Sequence, residues 1–276
     1  MISDFRRLIR PRVSLAVAAG SMFGVFYHGG AGPVEAVLAP AGAFLLCGAC
    51  SVWNQIQERG PDARMERTRN RPLVSDRVSV LGASLLAGLL FLFGLGSFFL
   101  AGGWPLFLLG LAITAVYNGV YTPLKRVTPA ALLAGGFAGA VPPLTGWMAA
   151  GGQVLDPRIL AVTIIFYLWQ VPHFWLLAEK QRADYERAGF AVLAASLSPA
   201  FRARLMGVWV GAYFVGLGCL TGLAGPMSLQ WIVPPVLLLA GGMAAGMAAG
   251  GRLQIASVAM YVSLPLGLIP LLMHTL

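Results

Sequence analysis

The sequence predicts an all-α protein that crosses a membrane several times, and three observations support this fold class. Hydrophobic residues make up 58% of the 276 residues and charged residues only 11%, a composition unlike that of a water-soluble globular protein. The mean hydropathy is +0.78. The apolar residues also fall in long runs, and runs of roughly 18–22 residues match helices that span the hydrocarbon layer, whereas membrane β-barrels have short alternating segments.

Nine apolar runs are predicted to be transmembrane helices. In chain order they are Val13–Tyr27, Val37–Ile56, Val78–Leu100, Trp104–Val120, Pro129–Ala149, Ile159–Ala178, Leu205–Leu223, Trp231–Ala249 and Leu253–Met273. Proline pairs at Pro142-Pro143 and Pro234-Pro235 should kink or interrupt the fifth and eighth helices. No soluble domain separates the runs, so a nine-transmembrane-helix bundle forming one membrane-embedded domain over residues 1–276 is expected.

The positions of the basic residues predict the orientation in the membrane. Of the 19 Lys and Arg residues, 18 lie in segments that nine helices would place on one side, and only Arg158 lies on the other. Because Lys and Arg are enriched in cytoplasmic loops, the N-terminus and charged loops are predicted to be cytoplasmic and the C-terminus outside the cell (inner) membrane. This topology accounts for the net charge of +9 and argues against nucleic-acid binding. The short basic N-terminus is interpreted as leading into a retained first helix, without a cleaved signal peptide.

A densely charged stretch, residues 54–73, follows the second predicted helix. Asn54, Glu58 and Asp62 recur every four residues, so a helix that continues to Asp62 would project all three from one face. Their oxygen atoms suit magnesium, which is commonly held by one or two carboxylates while substrate phosphates complete its shell. A solvated loop whose acids pair with neighbouring arginines explains the spacing equally well. The arginines that follow suit bidentate contact with phosphate, which favours the first interpretation.

Two further polar segments lie on the same predicted side of the membrane. Tyr121 and Lys125 stand four residues apart after the fourth helix, where the lysine could neutralise a leaving diphosphate or serve as an interfacial anchor. His173 lies in the aromatic run Trp169–Trp175 near the end of the sixth helix, and it could bind a metal centre, transfer a proton or cap a polar network. Asp184 follows in the next loop, either as another magnesium-facing carboxylate or as a solvated ion-pair partner.

The three cysteines are predicted to pack in the helices. Cys47 and Cys50 form a Cys-x-x-Cys pair, but the pair lies inside an apolar helix and has no other soft ligand beside it. Packing is therefore favoured over a redox role. The same interpretation applies to Cys219.

Taken together, the polar segments resemble the intramembrane prenyltransferases of the UbiA superfamily, in particular the protoheme IX farnesyltransferase (haem O synthase) branch. The resemblance covers about Arg10 to Gly189. Its motifs, in order, are Asn54–Asp62 with Met65–Leu73, Tyr121–Arg126, Gly135–Trp147 and Trp169–Tyr185. It implies a nine-helix bundle whose cytoplasmic loops cap a central cavity. It also implies a magnesium-dependent enzyme that transfers a farnesyl group from farnesyl diphosphate to a vinyl group of haem B, giving haem O and diphosphate.

The resemblance assigns roles to individual residues. The implied roles are magnesium and diphosphate binding by Asn54, Glu58, Asp62 and Asp184, diphosphate contact by Arg67, Arg71, Lys125 and Arg126, a position near the allylic carbon for Tyr121, and acceptor binding by His173. The resemblance also implies that six of these residues are catalytic: Asn54, Glu58, Asp62, Tyr121, Lys125 and Asp184. Haem B is implied as a substrate, so no permanently bound haem is expected.

Two departures from the family pattern keep alternatives open. Glu58 and Gly60 stand where the family usually has aspartates, and Ala191-Val192-Leu193-Ala194 replaces a Pro-Met-Leu-Pro run. Glutamate can still bind magnesium, whereas glycine offers no side-chain ligand. One alternative is a UbiA-type enzyme with another acceptor, such as a quinone precursor, chlorophyllide or a lipid. The other is a haem-binding membrane paralogue that has lost catalysis.

Overall fold

The computed structural model describes residues 2–192, 197–224, 229 and 231–273, and its described residues form helices and loops without a strand. This confirms the predicted all-α class. The helices are α1 Ile2–Leu8, α2 Pro11–His28, α3 Pro33–Gln57, α4 Arg59–Ala63, α5 Val80–Thr114, α6 Thr122–Leu124, α7 Ala131–Ala140, α8 Pro142–Ala149, α9 Pro157–Lys180, α10 Arg182–Ala188, α11 Pro199–Ala224, α12 Val233–Ala249 and α13 Leu253–Leu272. A π-helical segment, Ala115–Tyr121, joins α5 to α6.

The third and fourth predicted helices form one continuous element with a sharp break. Within α5, the backbone leaves helical geometry at Gly102 and Gly103, in the gap predicted from the sequence. Gly103 has φ 63° and ψ −156°, a conformation that is open essentially to glycine alone. The break allows a 45-residue apolar stretch, Val80–Leu124, to turn back on itself. Glycine therefore supplies the turn between two oppositely directed helices.

The two proline pairs have different effects. Pro142-Pro143 interrupts the fifth predicted helix as expected, because α7 ends at Ala140 and α8 begins at Pro142. The prediction for Pro234-Pro235 was wrong, since α12 begins at Val233 and both prolines lie in its first turn. Proline is tolerated there because the first amides of a helix have no intrahelical acceptor.

Among the described residues, five helical stretches are long and apolar enough to cross a membrane by themselves: Pro33–Gln57, Val80–Leu124, Pro157–Lys180, Pro199–Leu223 and Gln254–Leu272. The shorter apolar helices pack against them. Helical segments occupy all nine predicted runs, while the count of nine membrane crossings stays a prediction. Many large apolar side chains on the helix surfaces are exposed, including Leu85, Phe93 and Leu239, as expected for faces that contact lipid.

Helices α2 and α8 are in backbone contact. A Cβ atom added at Gly146 would lie 1.8 Å from the carbonyl oxygen of Ser21, and one added at Gly24 would lie 1.8 Å from that of Pro143. The Thr145 hydroxyl donates to Ser21 Oγ across the same contact, at 2.9 Å. Small residues are what permit such an approach between membrane helices.

Gly146→Ala is therefore expected to destabilise the protein. The added methyl group has no room, and overpacking of this kind costs about 1–3 kcal/mol or more. The apparent thermal midpoint of the detergent-solubilised protein should fall. Gly96→Ala is the matched control, because a Cβ atom at Gly96 would meet nothing within 4 Å, and its midpoint should not fall. Equal midpoints for Gly146→Ala and the control would contradict the close approach.

Candidate functional site

Two adjoining cavities lie between the helices. The first, here called the polar cavity, has a volume of about 240 Å³ and is lined by predicted site residues from separate segments: Asn54, Glu58, Asp62, Arg67, Arg71, Tyr121 and Lys125. The second, here called the apolar cavity, has a volume of about 280 Å³ and is bordered by α2, α3, α5, α7, α8, α9 and the π-helical segment. Arg10, Tyr117, Phe174 and Leu177 line both cavities. The two therefore meet at a shared boundary.

The three oxygen-bearing residues of the first charged segment share one wall of the polar cavity. Helical hydrogen bonding continues past the end of α3, because the Glu58 amide donates to the Asn54 carbonyl at 2.9 Å and the Asp62 amide donates to the Glu58 carbonyl at 2.8 Å. This spacing turns all three side chains toward the cavity. Their exposures are 1% for Asn54, 4% for Glu58 and 0% for Asp62. Two carboxylates are thus held beside each other and out of bulk water.

Cations compensate the buried carboxylates. Arg71 Nη1 contacts Asp62 Oδ2, and Lys125 Nζ lies 2.6 Å from Glu58 Oε1. Burial lowers the pKa of Arg71 to about 10. Burial also lowers the pKa of Lys125, while Glu58 acts in the opposite direction. The second oxygen of Asp62, Oδ1, is buried and has no hydrogen-bond partner among the described residues, which is costly unless a ligand satisfies it.

The π-helical segment supplies an aromatic wall at the boundary of the cavities. Tyr117 and Tyr121 have ring centroids 5.2 Å apart, and Tyr121 stacks on Phe174 at 5.9 Å with an interplanar angle of 16°. Lys125 Nζ lies 4.9 Å from the centroid of Tyr121. Asn118 anchors the segment by donating to the Cys50 carbonyl at 3.1 Å. Short π-helical segments are frequent at functional sites, and this one presents two rings to the cavity.

Three predicted site residues do not line the polar cavity: Asp184, Arg126 and His173, the last of which lines the apolar cavity. Asp184 accepts hydrogen bonds from the backbone amides of Glu66 and Arg67, at 3.1 and 3.3 Å, and pairs with Arg187. The hydrogen bond from Arg187 lowers the pKa of Asp184. Arg126 Nη2 donates to the Gln57 carbonyl at 2.5 Å. Asp184 and Arg126 both form hydrogen bonds to segments around the polar cavity, and neither is among its lining residues.

The polar cavity has few carboxylates for a metal centre whose ligands all come from the protein. Within the described ranges, no three His, Cys, Asp or Glu side chains are grouped closely enough to hold a metal ion. A Cβ atom at Gly60 would meet no atom of the described residues within 4 Å, so they leave space where the family's carboxylate would stand. Of the replaced Pro-Met-Leu-Pro run, Ala191 and Val192 line the polar cavity, whereas residues 193 and 194 lie outside the described part of the chain.

Arg10 is a site residue that the sequence did not single out. It lines both cavities, and its backbone has φ 48° and ψ 63°, in the left-handed region. A residue other than glycine pays strain energy there, and such strain clusters at functional sites. Pro11 at the start of α2 was the available signal, because it fixes the point at which the chain enters the helix. In the sequence alone, Arg10 is one of several basic residues that predict orientation.

Two of the three cysteines, Cys47 and Cys50, are packed as expected. Cys50 is buried and its thiol contacts Thr114 Oγ1 at 3.8 Å. Cys47 is half-buried, and both residues line the apolar cavity. Cys219 is free and exposed, so the prediction that it is buried by packing was wrong. Its position on α11 explains the exposure, since neighbouring Val215 and Leu223 are also exposed apolar residues.

The sequence profile of the UbiA prenyltransferase family matches residues 13–271. The chain therefore belongs to the UbiA prenyltransferase family and is a multi-pass membrane prenyltransferase. It is also similar to proteins named protoheme IX farnesyltransferase. The Oleidesulfovibrio alaskensis relative is 45% identical over 217 residues, covering 79% of this chain and 77% of the relative. A Nitratidesulfovibrio vulgaris relative is 40% identical over 262 residues, covering 95% of this chain and 90% of the relative.

Solved structures share the fold at low sequence identity. A digeranylgeranylglyceryl phosphate synthase matches with a TM-score of 0.76, 15% identity and 99% coverage of each chain. A UbiA homologue from Aeropyrum pernix matches with a TM-score of 0.72 and 20% identity, covering 95% of this chain and 98% of its own. A homologue from Archaeoglobus fulgidus, solved with GPP and Mg²⁺, matches with a TM-score of 0.69 and 14% identity, covering 97% and 99%. These matches establish the UbiA-type fold.

Proposed function

We propose that this protein transfers the farnesyl group of farnesyl diphosphate to a vinyl group of haem B, giving haem O and diphosphate. The observation that carries the proposal is the 40–45% identity to proteins named protoheme IX farnesyltransferase over most of their length. The joined cavities support it, because one offers cations for a diphosphate and the other offers apolar walls for a prenyl chain. We place the charged loops on the cytoplasmic side of the inner membrane, because 18 of the 19 Lys and Arg residues lie in segments that nine helices would put on one side.

The cations of the polar cavity stabilise the leaving group. Arg10, Arg67, Arg71 and Lys125 line one chamber, and breaking the allylic C–O bond concentrates negative charge on the departing diphosphate. Fixed cations that face the developing charge lower the barrier, because they need not reorganise during the reaction. Arg126 assists from outside the cavity by holding the Gln57 carbonyl at the end of α3.

The first charged segment fits magnesium. Asp62 Oδ1 is buried without a partner, and Asn54 and Glu58 line the same cavity. Carboxylate and amide oxygens from these residues would hold the ion, with diphosphate and water completing its shell. When bound, magnesium supplies further charge neutralisation at the leaving diphosphate. For Asp184 the contacts favour a positioning role over direct coordination, because its oxygens receive the amides of Glu66 and Arg67.

The aromatic wall is assigned to the farnesyl cation, the other fragment formed when the allylic C–O bond breaks. Tyr117 and Phe174 line both cavities, and Tyr121 lines the polar cavity and contacts both of their rings. The allylic carbon would lie beside these rings. The faces of aromatic rings attract positive charge. They also exclude water, which would otherwise quench the farnesyl cation. The apolar cavity is assigned to the prenyl chain and the reacting edge of haem B.

Arg10→Asn is expected to raise the KM for farnesyl diphosphate about tenfold, the loss of about 1.4 kcal/mol of binding. Asparagine tolerates the left-handed backbone of Arg10 and removes only its charge. Arg12→Asn is the control, because Arg12 is exposed and near Arg10 in sequence. Steady-state kinetics of both variants make the comparison. An unchanged KM in Arg10→Asn would remove Arg10 from the diphosphate site.

The function is tested with the purified protein in detergent, farnesyl diphosphate, magnesium and one acceptor at a time. Haem B should give haem O, identified by mass, together with stoichiometric diphosphate. Formation of product from a quinone precursor, chlorophyllide or lipid and none from haem B would reject the proposed acceptor. Haem binding without diphosphate release would identify an inactive paralogue.

A further inference from the structure

Two polar side chains of α9 line the apolar cavity one helical turn apart. Gln170 and His173 both border it, although its other walls are mainly aliphatic and aromatic. The Gln170 amide makes no hydrogen bond to the described part of the chain. Its Nε2 atom packs over Gly139, where an added Cβ atom would lie only 2.5 Å away. A prenyl chain cannot form a hydrogen bond with an amide, so Gln170 and His173 indicate a polar ligand within this cavity.

The imidazole of His173 is held in one orientation. Its Nδ1 atom lies 2.8 Å from the hydroxyl of Tyr261 on α13, and its ring stacks on Trp169 with centroids 4.7 Å apart and an interplanar angle of 13°. Trp169 is itself fixed, because its indole nitrogen donates to the Met260 carbonyl at 3.0 Å. In the tautomer whose Nδ1–H donates to Tyr261, Nε2 carries the lone pair and is available as a base.

This inference rests on the proposed function, whose reaction consumes one water. Attack of the vinyl group on the farnesyl cation forms a C–C bond at the terminal vinyl carbon and leaves positive charge on the carbon attached to the porphyrin. The oxygen of water then bonds to that carbon, and a water proton must leave. A water molecule in an apolar cavity needs two to four polar partners. Besides Gln170 and His173, the polar side chains of the described wall are Arg10, Ser51, Tyr117 and Thr145. Arg10 and Tyr117 lie at the boundary with the polar cavity, and the Thr145 hydroxyl is already bonded to Ser21 and Pro142. Gln170 and His173 are the pair that stands one helical turn apart on α9.

We propose that Gln170 and His173 bind the water that captures the haem-side cation, with Nε2 of His173 accepting its proton. Tyr261 is a positioning residue that fixes the imidazole. The proton passes from His173 to solvent or to the departing diphosphate, so haem B, farnesyl diphosphate and water give haem O, diphosphate and one proton. Without a placed water, the same cation loses a proton from carbon and gives an alkene adduct lighter by one water.

The test measures the ratio of alkene to hydroxylated haem adduct, by mass, in water enriched in oxygen-18. Wild type should give hydroxylated adduct carrying the heavy oxygen. His173→Leu and Gln170→Leu should each raise the ratio about tenfold or more, a barrier difference of about 1.4 kcal/mol, while diphosphate release continues. Tyr261→Phe should also raise the ratio of alkene to hydroxylated adduct. Added imidazole should restore hydroxylated product in His173→Gly, which a purely structural histidine would not permit.

Tyr213→Phe is the control. It removes a buried hydroxyl that bonds Ser263 at 3.0 Å, and Tyr213 does not border the apolar cavity. Its product ratio should equal that of wild type. Tyr261→Phe removes a single oxygen atom from a side chain that is 46% exposed, so it keeps the test valid if a leucine variant fails to fold. Wild-type product ratios in Tyr261→Phe and in the folded leucine variants would overturn the proposal. If wild type forms no haem adduct at all, the proposed function fails and this inference fails with it.

Discussion

Replacing Asp62 with asparagine is expected to lower the rate of diphosphate release about 100-fold, or about 2.7 kcal/mol of barrier. Asparagine keeps the shape of the side chain but removes the charge that pairs with Arg71. It also replaces one carboxylate oxygen with an NH2 group, so the side chain can no longer accept from Arg71 and offer a second oxygen at the position of Oδ1, which has no partner within the described chain. The substitution would weaken magnesium binding and leave Arg71 without its charged partner. The rate is measured with saturating farnesyl diphosphate, haem B and magnesium.

Asp76→Asn is the matched control for Asp62. It makes the same chemical change in the same segment, but the Asp76 side chain is 78% exposed and pairs with the half-exposed Arg59. Its backbone φ of 54° is one that asparagine also adopts. The control should retain the wild-type rate. Equal rates for wild type, Asp62→Asn and Asp76→Asn would exclude Asp62 from the reaction.

Lys125→Met is expected to lower turnover at least tenfold, or about 1.4 kcal/mol. The ammonium group lies between Glu58 and the ring of Tyr121, so it faces both the carboxylate wall and the aromatic boundary. Its removal takes a cation from the leaving group and leaves Glu58 buried without its partner. Turnover and the apparent thermal midpoint are measured together.

The chain's second lysine provides the control for Lys125. Lys180 lies at the exposed end of α9, and Lys180→Met should change neither turnover nor the midpoint. Lys125→Arg should recover part of the lost rate, because charge is restored with a different geometry. If Lys125→Met has a lower midpoint but wild-type turnover, the lysine stabilises the fold and has no part in diphosphate departure.

The features that the sequence predicted well are those written in local patterns. Apolar runs placed the membrane helices because lipid requires every backbone group to be paired within a helix. The four-residue spacing of Asn54, Glu58 and Asp62 placed them on one wall, because the helical hydrogen bonds continue beyond Gln57. The break at Gly102-Gly103 was visible as a gap between two runs. In each case one short stretch of sequence contains the whole physical cause.

The features that the sequence did not predict depend on contacts between distant segments. Asp184 accepts the amides of Glu66 and Arg67, 118 and 117 positions away, and no periodicity within either loop encodes that contact. Tyr261 likewise meets His173 across 88 positions. Arg10 was misjudged for another reason, since a basic residue at a membrane edge is equally expected from topology alone. Its left-handed backbone is a property only of the folded chain.

The position of the metal and the leaving group tests the central claim most directly. A crystal structure with manganese and a non-hydrolysable thio analogue of farnesyl diphosphate would locate the metal by anomalous scattering. We expect a manganese peak beside Asp62 Oδ1, a diphosphate between that peak and Lys125, and the prenyl chain entering the apolar cavity past Tyr121. A manganese peak and a diphosphate outside the polar cavity, with Asp62 still paired only with Arg71, would contradict it.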